Sequence, residues 1–315
     1  MNMKPTVSIN LCVLNGGNYI REALESIVAQ TYNDWELVVI NDGSTDATES
    51  IIKEYISQGY PIIYCWQENH GLGYSRNEAL KRSQGKYIAF IDHDDIWLSD
   101  KLEKQISLFS DNTDIDFIYT NYFIMKNNQK LLTLKRKQPT GYVFEYFLYH
   151  YPVALLTAMI RKNALIGRNI EFDENLHLSE EYDVFMRLLY KSKAGYIKDP
   201  LAIYRIHPQM ASLTRASDYY EESLYVLKKI KAIDDCQAKF KKALKIHKMN
   251  SEYVMAKNLI DQGDSISGRK QISAYKLLYF KHFMLYLFSF IPTGVRHYLN
   301  IIFSKNYISQ HPTLF

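Results

Sequence analysis

The sequence predicts an α/β fold: a mostly parallel sheet flanked by helices, followed by a helical C-terminal extension. Three observations carry this. Short, near-continuous apolar runs recur through the first 110 residues. Between them lie segments whose apolar residues repeat near every 3.6 positions. Strands without polar alternation need cover on both faces, and helical crossovers between parallel strands supply it. Beyond about residue 216 the strand signals stop and the chain reads as helical and lysine-rich, as in "LKKIKAI" and "KFKKALKIHK".

In chain order, "VSINLCV" (7–13) predicts a strand and "NYIREALESIVAQ" (18–30) an amphipathic helix. "WELVVI" (35–40) is a strand, and "STDATESIIKEYIS" (44–57) a helix that the Ser44 hydroxyl would open. "PIIYCW" (61–66), "LGYSRNEALKRS" (72–83), "KYIAFI" (86–91) and "SDKLEKQISLFS" (99–110) continue the alternation. Then the pattern changes. "IDFIYTNYFIM" (115–125) and "KLLTLK" (130–135) predict a hairpin around "KNNQ". "GYVFEYFLYHY" (141–151) reads as helix, "ALLTAMIR" (154–161) as strand and "SEEYDVFMRLLYKS" (179–192) as helix. "AGYIKDPLAIYRIH" (194–207) predicts two short strands broken by Pro200. A boundary falls near 210–216. The expected organisation is one domain over 1–212, with halves at about 1–110 and 111–212, and a helical region over 213–315.

A chain of 315 residues, 47% hydrophobic and 23% charged, fits a folded soluble protein. Its net charge of +4 is too small to imply nucleic acid. Cys12, Cys65 and Cys236 form no close-spaced pair, which argues against a zinc site or disulfide framework and for a reducing compartment. The N-terminus shows no signal-peptide core, and no apolar run reaches the roughly 20 residues of a membrane span. "LLYFKHFMLYLFSFI" (277–291) reads either as an in-plane membrane helix or as a helix packed on its own domain.

Ligands of parallel sheets sit at the carboxyl ends of the strands. That rim receives Asn15, Asp42 and the run "FIDHDDIW" with Asp92, Asp94 and Asp95. Two carboxylates about 4 Å apart repel by roughly 4 kcal/mol at an effective dielectric of 20. A hard cation such as Mg²⁺ or Mn²⁺ reverses that sign, and Mg²⁺ usually takes one or two carboxylates and fills its shell with phosphate and water. Asp92 and Asp94 therefore read as half of a metal site completed by a diphosphate, against the alternative of an acidic turn capping the helix near Ser99. In "INDGSTD" (40–46), Asp42 is either a turn residue or an acceptor for a nucleotide base. Glu181 falls on the apolar face of its helix with Val184, Phe185 and Leu188, whereas Glu180, Asp183 and Arg187 fall opposite, the last two spaced as a surface pair. A carboxylate on a buried stripe is a cap, an ion-pair member or a general base. His207 in "YRIH" is structural, a metal ligand or a phosphate contact. Arg76 and Asn77 point to the same rim, and the Gly71–Gly73 run offers backbone N–H groups to phosphate. "LNGGNY" is no dinucleotide fingerprint.

Taken in order, "VSINLCVLNGGNYIREALESIVAQTY", "WELVVINDGSTDAT", "NHGLGYSRNEAL", "GKYIAFIDHDD" and "SEEYDVFMRL" resemble the family 2 glycosyltransferases of the GT-A fold, over about residues 6–210. The resemblance implies a Rossmann-like nucleotide-binding sheet and inverting transfer of a hexose from a nucleotide-diphosphate sugar, UDP-linked by expectation, to an acceptor hydroxyl. It implies Mg²⁺ or Mn²⁺ as cofactor, a glycan or lipid-linked glycan as acceptor, and bacterial surface polysaccharide or cell-envelope assembly as setting. The expected place is cytoplasmic, peripheral at the inner face of the membrane. Carried over, Asp42 matches the base-binding aspartate, Asp92 and Asp94 the D-x-D pair with Asp94 as direct metal ligand, and Glu181 the catalytic base. His207 matches a residue near metal and diphosphate, and Arg76 one near the nucleotide; Asn15 shares their rim. Three departures stand out: Leu14 in place of a tyrosine, Cys12 in place of a proline or small polar residue, and glutamate rather than aspartate at 181. Those at Leu14 and Glu181 motivate a binding module that recognises glycans or nucleotide-sugars as the competing reading. A nucleotidyltransferase fits less well, because the loop after strand one lacks a lysine.

Overall fold

A computed structural model describes residues 4–126, 129–132, 137–210, 214–215, 218–275 and 280–291. The chain divides into two compact units, residues up to 144 with 152–210, and 145–151 with 211 onward.

In the first unit, β1 (Val7–Val13), β2 (Trp35–Asp42) and β4 (Tyr87–Phe90) are buried at every position. This is what near-continuous apolar sequence requires of strands covered on both faces. With β3 (Ile62–Gln67) they form a parallel block in the order β3-β2-β1-β4. The crossovers are α1 (Ile20–Val28), α2 (Thr48–Ser57) and α3 (Leu72–Arg82). Beyond β4 the sheet becomes mixed. β5 (Ile96–Trp97) and α4 (Lys101–Asp111) follow in sequence. Next come β6 (Ile115–Lys126) and β7 (Gln129–Leu132), which pair antiparallel as the predicted hairpin. The "KNNQ" turn and the end of "KLLTLK" lie partly outside the described residues. α5 (Phe144–Tyr149) begins within the predicted helix 141–151. β8 (Met159–Arg161) inserts antiparallel between β4 and β6, and α6 (Lys162–Ile166) follows it. α7 (Glu180–Leu189) leads into β9 (Lys193–Arg205), which runs parallel to β6 and antiparallel to β5.

Four local expectations are corrected. The 154–161 segment is a 3₁₀ turn (Leu155–Thr157) plus the short β8, not one strand. Pro200 does not split 194–207 into two strands. It pairs with Asn121 inside β9, and the register shifts on both sides of that pair absorb the missing N–H. α2 starts at Thr48 rather than after Ser44, because Asp46 Oδ1 accepts from the Thr48 N–H (3.0 Å) while Ser44 Oγ accepts from Asn15 N (2.9 Å). Finally, α7 has no polar outer face: Glu180 (2% exposed) and Asp183 (0%) are buried along with Val184, Phe185 and Leu188. The Asp183–Arg187 pair forms (3.0 Å to Arg187 Nε), but its carboxylate is buried rather than at the surface.

In the second unit, α8 (Tyr219–Lys231), α9 (Cys236–Lys239), α10 (Lys241–Asp261), α11 (Ser265–Ile272) and α12 (Phe280–Phe288) follow α5. Ala256, Ile260, Ile272 and Leu285 form one of its apolar clusters. No helix among the described residues is long and apolar enough to cross a membrane.

Candidate active site

The site assembles where four strands end. Asn15 follows β1, Asp42 ends β2, Gln67 ends β3 and Asp92–Asp95 form the turn from β4 to β5. Gly16 lets the loop after β1 press on that turn, since a Cβ there would lie 2.7 Å from His93 Cδ2 and 2.6 Å from Val13 Cγ2. β5 pairs with the end of β9 (Ile96 with Ile203), and this brings residues more than a hundred positions later beside the aspartates. Arg205 N–H donates to Asp95 Oδ1 (3.0 Å), and Arg205 Nε to the Asp94 carbonyl (2.9 Å). His207 Nε2 lies 2.8 Å from Asp94 Oδ2, with its ring against Tyr19 at 4.8 Å between centroids.

Arg76, on α3 and 4% exposed, is the hub. Its Nη2 donates to Asp92 Oδ1 at 3.2 Å, and its Nη1 to Glu180 Oε1 at 2.6 Å. Glu181 Oε2 is 3.7 Å from the same Nη1. Helix α7 thus begins against the D-x-D turn through one guanidinium. Three carboxylates crowd the one guanidinium of Arg76. The titrations reflect this. Burial and the charge of Glu180 push Glu181 up to about 8, against the pull of Arg76. Burial also raises Asp92, with Arg76 opposing and Asp94 reinforcing. Asp95, 1% exposed, is raised well above the carboxylate range by burial and by the Asp94 and Asp92 charges. Burial tends to lower Arg76, but Glu180, Asp92 and Glu181 outweigh it and hold the guanidinium charged. Cys12 is buried beneath this cluster and its thiol is pushed up to about 12, which leaves it a packing residue without nucleophilic character.

Asp42 and its neighbours differ from the simplest expectation. Asp42 Oδ1 accepts from Gln67 Nε2 (2.7 Å) and His70 N (3.0 Å), and Oδ2 from Gly71 N (2.9 Å). A carboxylate has about four acceptor positions, so one remains. The Gly71 N–H is therefore committed to Asp42 instead of standing free for phosphate; its φ of +90° is what turns the backbone to that carboxylate. Asn77 does not join the rim. Its amide brackets the backbone of Phe172, accepting from N at 2.8 Å and donating to O at 2.9 Å. Asn15 is exposed, with φ +53°, and its Oδ1 accepts from Thr45 N at 2.9 Å, tying the β1 and β2 loops together.

Sequence reasoning missed Glu180 and Arg205. The face assignment on α7 hid Glu180, which is buried against Arg76. Arg205 stood beside His207 in the same quoted tetrapeptide, and only the β5–β9 pairing reveals its role.

No three His, Cys, Asp or Glu side chains among the described residues converge as a cage for a metal ion. The donor set does fit a hard cation shared with a ligand: Asp94 Oδ2 beside His207 Nε2, and the part-exposed Asp92 carboxylate two residues before it.

The family model "Glycosyl transferase family 2" matches residues 8–168. An uncharacterized glycosyltransferase of Rickettsia typhi is 33% identical over 225 residues, 69% of each chain. The putative teichuronic acid biosynthesis glycosyltransferase TuaG of Bacillus subtilis is 31% identical over 208 residues, covering 65% of this chain and 81% of its own. Among solved structures, S. aureus TarS residues 1–349 superpose with a TM-score of 0.67 at 20% identity, over 97% of this chain and 89% of that one. A mannosyltransferase from Pyrobaculum calidifontis, in complex with GDP-Man and Mn²⁺, gives 0.61 at 16% identity, over 98% and 89%. These two likenesses show a GT-A glycosyltransferase fold. With the sequence matches beside them, the chain belongs to the family 2 glycosyltransferases.

Proposed function

We propose that this enzyme transfers a hexose, with inversion, from a UDP-sugar to a hydroxyl of a glycan or lipid-linked glycan, in bacterial surface polysaccharide assembly at the cytoplasmic face of the membrane. The observation that carries the reading is the Arg76 hub, which sets Glu181 beside the D-x-D turn. The naming of the B. subtilis relative for teichuronic acid biosynthesis, and the UDP-GlcNAc complex of the TarS fold neighbour, support polymer and donor class.

In this reading the nucleotide lies along the strand ends. Asp42 offers its remaining acceptor position to the base and, through Gln67, His70 and Gly71, fixes the wall beside it. Asn15 holds the neighbouring loop. Asp94, with Asp92 and His207, would hold Mg²⁺ or Mn²⁺, which when bound offsets charge on the departing diphosphate. Arg76 orients Asp92 and keeps Glu181 in place. Glu181 removes the proton from the acceptor hydroxyl as that oxygen attacks the anomeric carbon from the face opposite the diphosphate. One displacement gives one inversion. Glutamate has one more methylene than aspartate, and the deeper Glu180–Arg76 pair sets how far its carboxylate reaches.

The test is a panel of UDP- and GDP-sugars assayed for nucleoside diphosphate release and transfer, with Mn²⁺, Mg²⁺ or chelator, and with the product anomer read by NMR. Metal-dependent, inverting transfer from a UDP-sugar supports the reading; a retained anomer, or full transfer in chelator, contradicts it. A donor-binding module is the second reading, favoured by a Glu181 carboxyl that stays protonated near neutral pH. Such a module binds donor and releases no nucleoside diphosphate at any pH.

A further inference from the structure

Helix α12 is inside out for a protein surrounded by water. The side it buries is polar in part: His282 (1% exposed), Ser289 just past its end (2%) and Leu285 (7%). The side it exposes is apolar: Phe280 (78%), Phe283 (38%), Met284 (46%), Leu287 (46%) and, just beyond the helix, Phe290 (60%). At 100° per residue these five fall on one stripe about 120° wide. Scattered exposed apolar residues are ordinary, but a contiguous stripe of three phenylalanines, a methionine and a leucine marks a surface that meets something other than water.

Charge indicates what it meets. Residues 211–315 hold 16 Lys and Arg against 8 Asp and Glu, a net of +8, which leaves the first 210 residues at −4 of the chain's +4. Cations also flank the stripe. Arg269 sits 4.5 Å over the Phe290 ring and donates to the Ser289 carbonyl at 2.9 Å, and Lys270 beside it is exposed. Protein interfaces favour aromatic residues and methionine but are depleted in lysine. A lipid surface takes both, the apolar side chains among the acyl chains and the cations among anionic headgroups. Among the described residues the helix spans nine positions, against the roughly 20 that a bilayer span needs, which suits a helix lying in the interface plane.

We propose that the exposed stripe of α12 docks this enzyme on an anionic lipid surface. The full chain is sedimented with vesicles of phosphatidylcholine alone, or of phosphatidylcholine and phosphatidylglycerol in equal parts, at low and high salt. The proposal expects binding to the mixed vesicles, weakened about tenfold or more without the anionic lipid or at high salt. The double variant Phe283→Glu, Leu287→Glu alters two exposed positions, so its melting temperature stays at the wild-type value while vesicle binding falls about tenfold or more. Equal binding by the folded variant overturns the proposal. So does a wild-type chain that ignores both vesicles. Binding to both vesicles with equal strength also overturns it, because the charge argument fails.

Discussion

Arg76 shows what the rim costs and what it gains. A guanidinium buried with three carboxylates stays stable only while paired, and each acid depends on it in turn. Arg76→Met breaks the buried 2.6 Å pair with Glu180, and should destabilise the protein by about 3–5 kcal/mol in chemical denaturation. Glu181 gives a second prediction with a definite sign. Its carboxyl ionises near 8 in the fold and near 4.5 in the free chain, so between those values the native state holds the extra proton. Ionising it therefore lowers stability as pH rises from about 4.5 to 8. Glu181→Gln should match wild type in melting temperature at acid pH and exceed it increasingly up to pH 8. The same variant should lose about 10²–10⁴-fold in turnover, and wild-type turnover should rise with pH towards 8 as the base ionises. A variant that is stabilised yet fully active would remove Glu181 from the chemistry. Residues also mark the limit of sequence reading here. The placement of Asp42, Asp92 and Asp94 at strand ends was legible, because acids that close apolar runs are conspicuous. The capture of Asp42 by the 67–71 loop was not, since it depends on donors 25 to 29 positions away.

At the scale of elements, the strands were legible because burial on both faces leaves an unbroken apolar record. β1 spans the expected residues, and β2 extends the expected strand by two. Helix faces were less legible. A charged face predicts one side in water, but Glu180 and Asp183 of α7 are enclosed, and paired charges on an enclosed helix mimic a surface. Helix starts depend on which side chain wins the first N–H groups, and at α2 Asp46 wins over Ser44. Asp46→Ala removes acceptors for Thr48 N and Gly17 N, and should cost about 1 kcal/mol in denaturation. Gly71→Ala places a side chain at φ +90° and misdirects an N–H that Asp42 needs. It should cost about 1–3 kcal/mol and weaken nucleotide binding together, measured by thermal shift with and without nucleotide.

Across the whole molecule, charge is divided as well as structure. The first 210 residues carry the acids of the rim and the last 105 carry a net +8. The central claim is that the rim's acids are gathered for a cation and a diphosphate to complete. Calorimetric binding of a nucleoside diphosphate, with and without Mn²⁺, to wild type and Asp94→Asn tests it most directly. The account predicts that wild type binds at least about tenfold more tightly with Mn²⁺, and that Asp94→Asn loses this metal dependence while melting at or above the wild-type temperature. Equally tight binding by wild type in chelator, or an undiminished Mn²⁺ effect in Asp94→Asn, would contradict it.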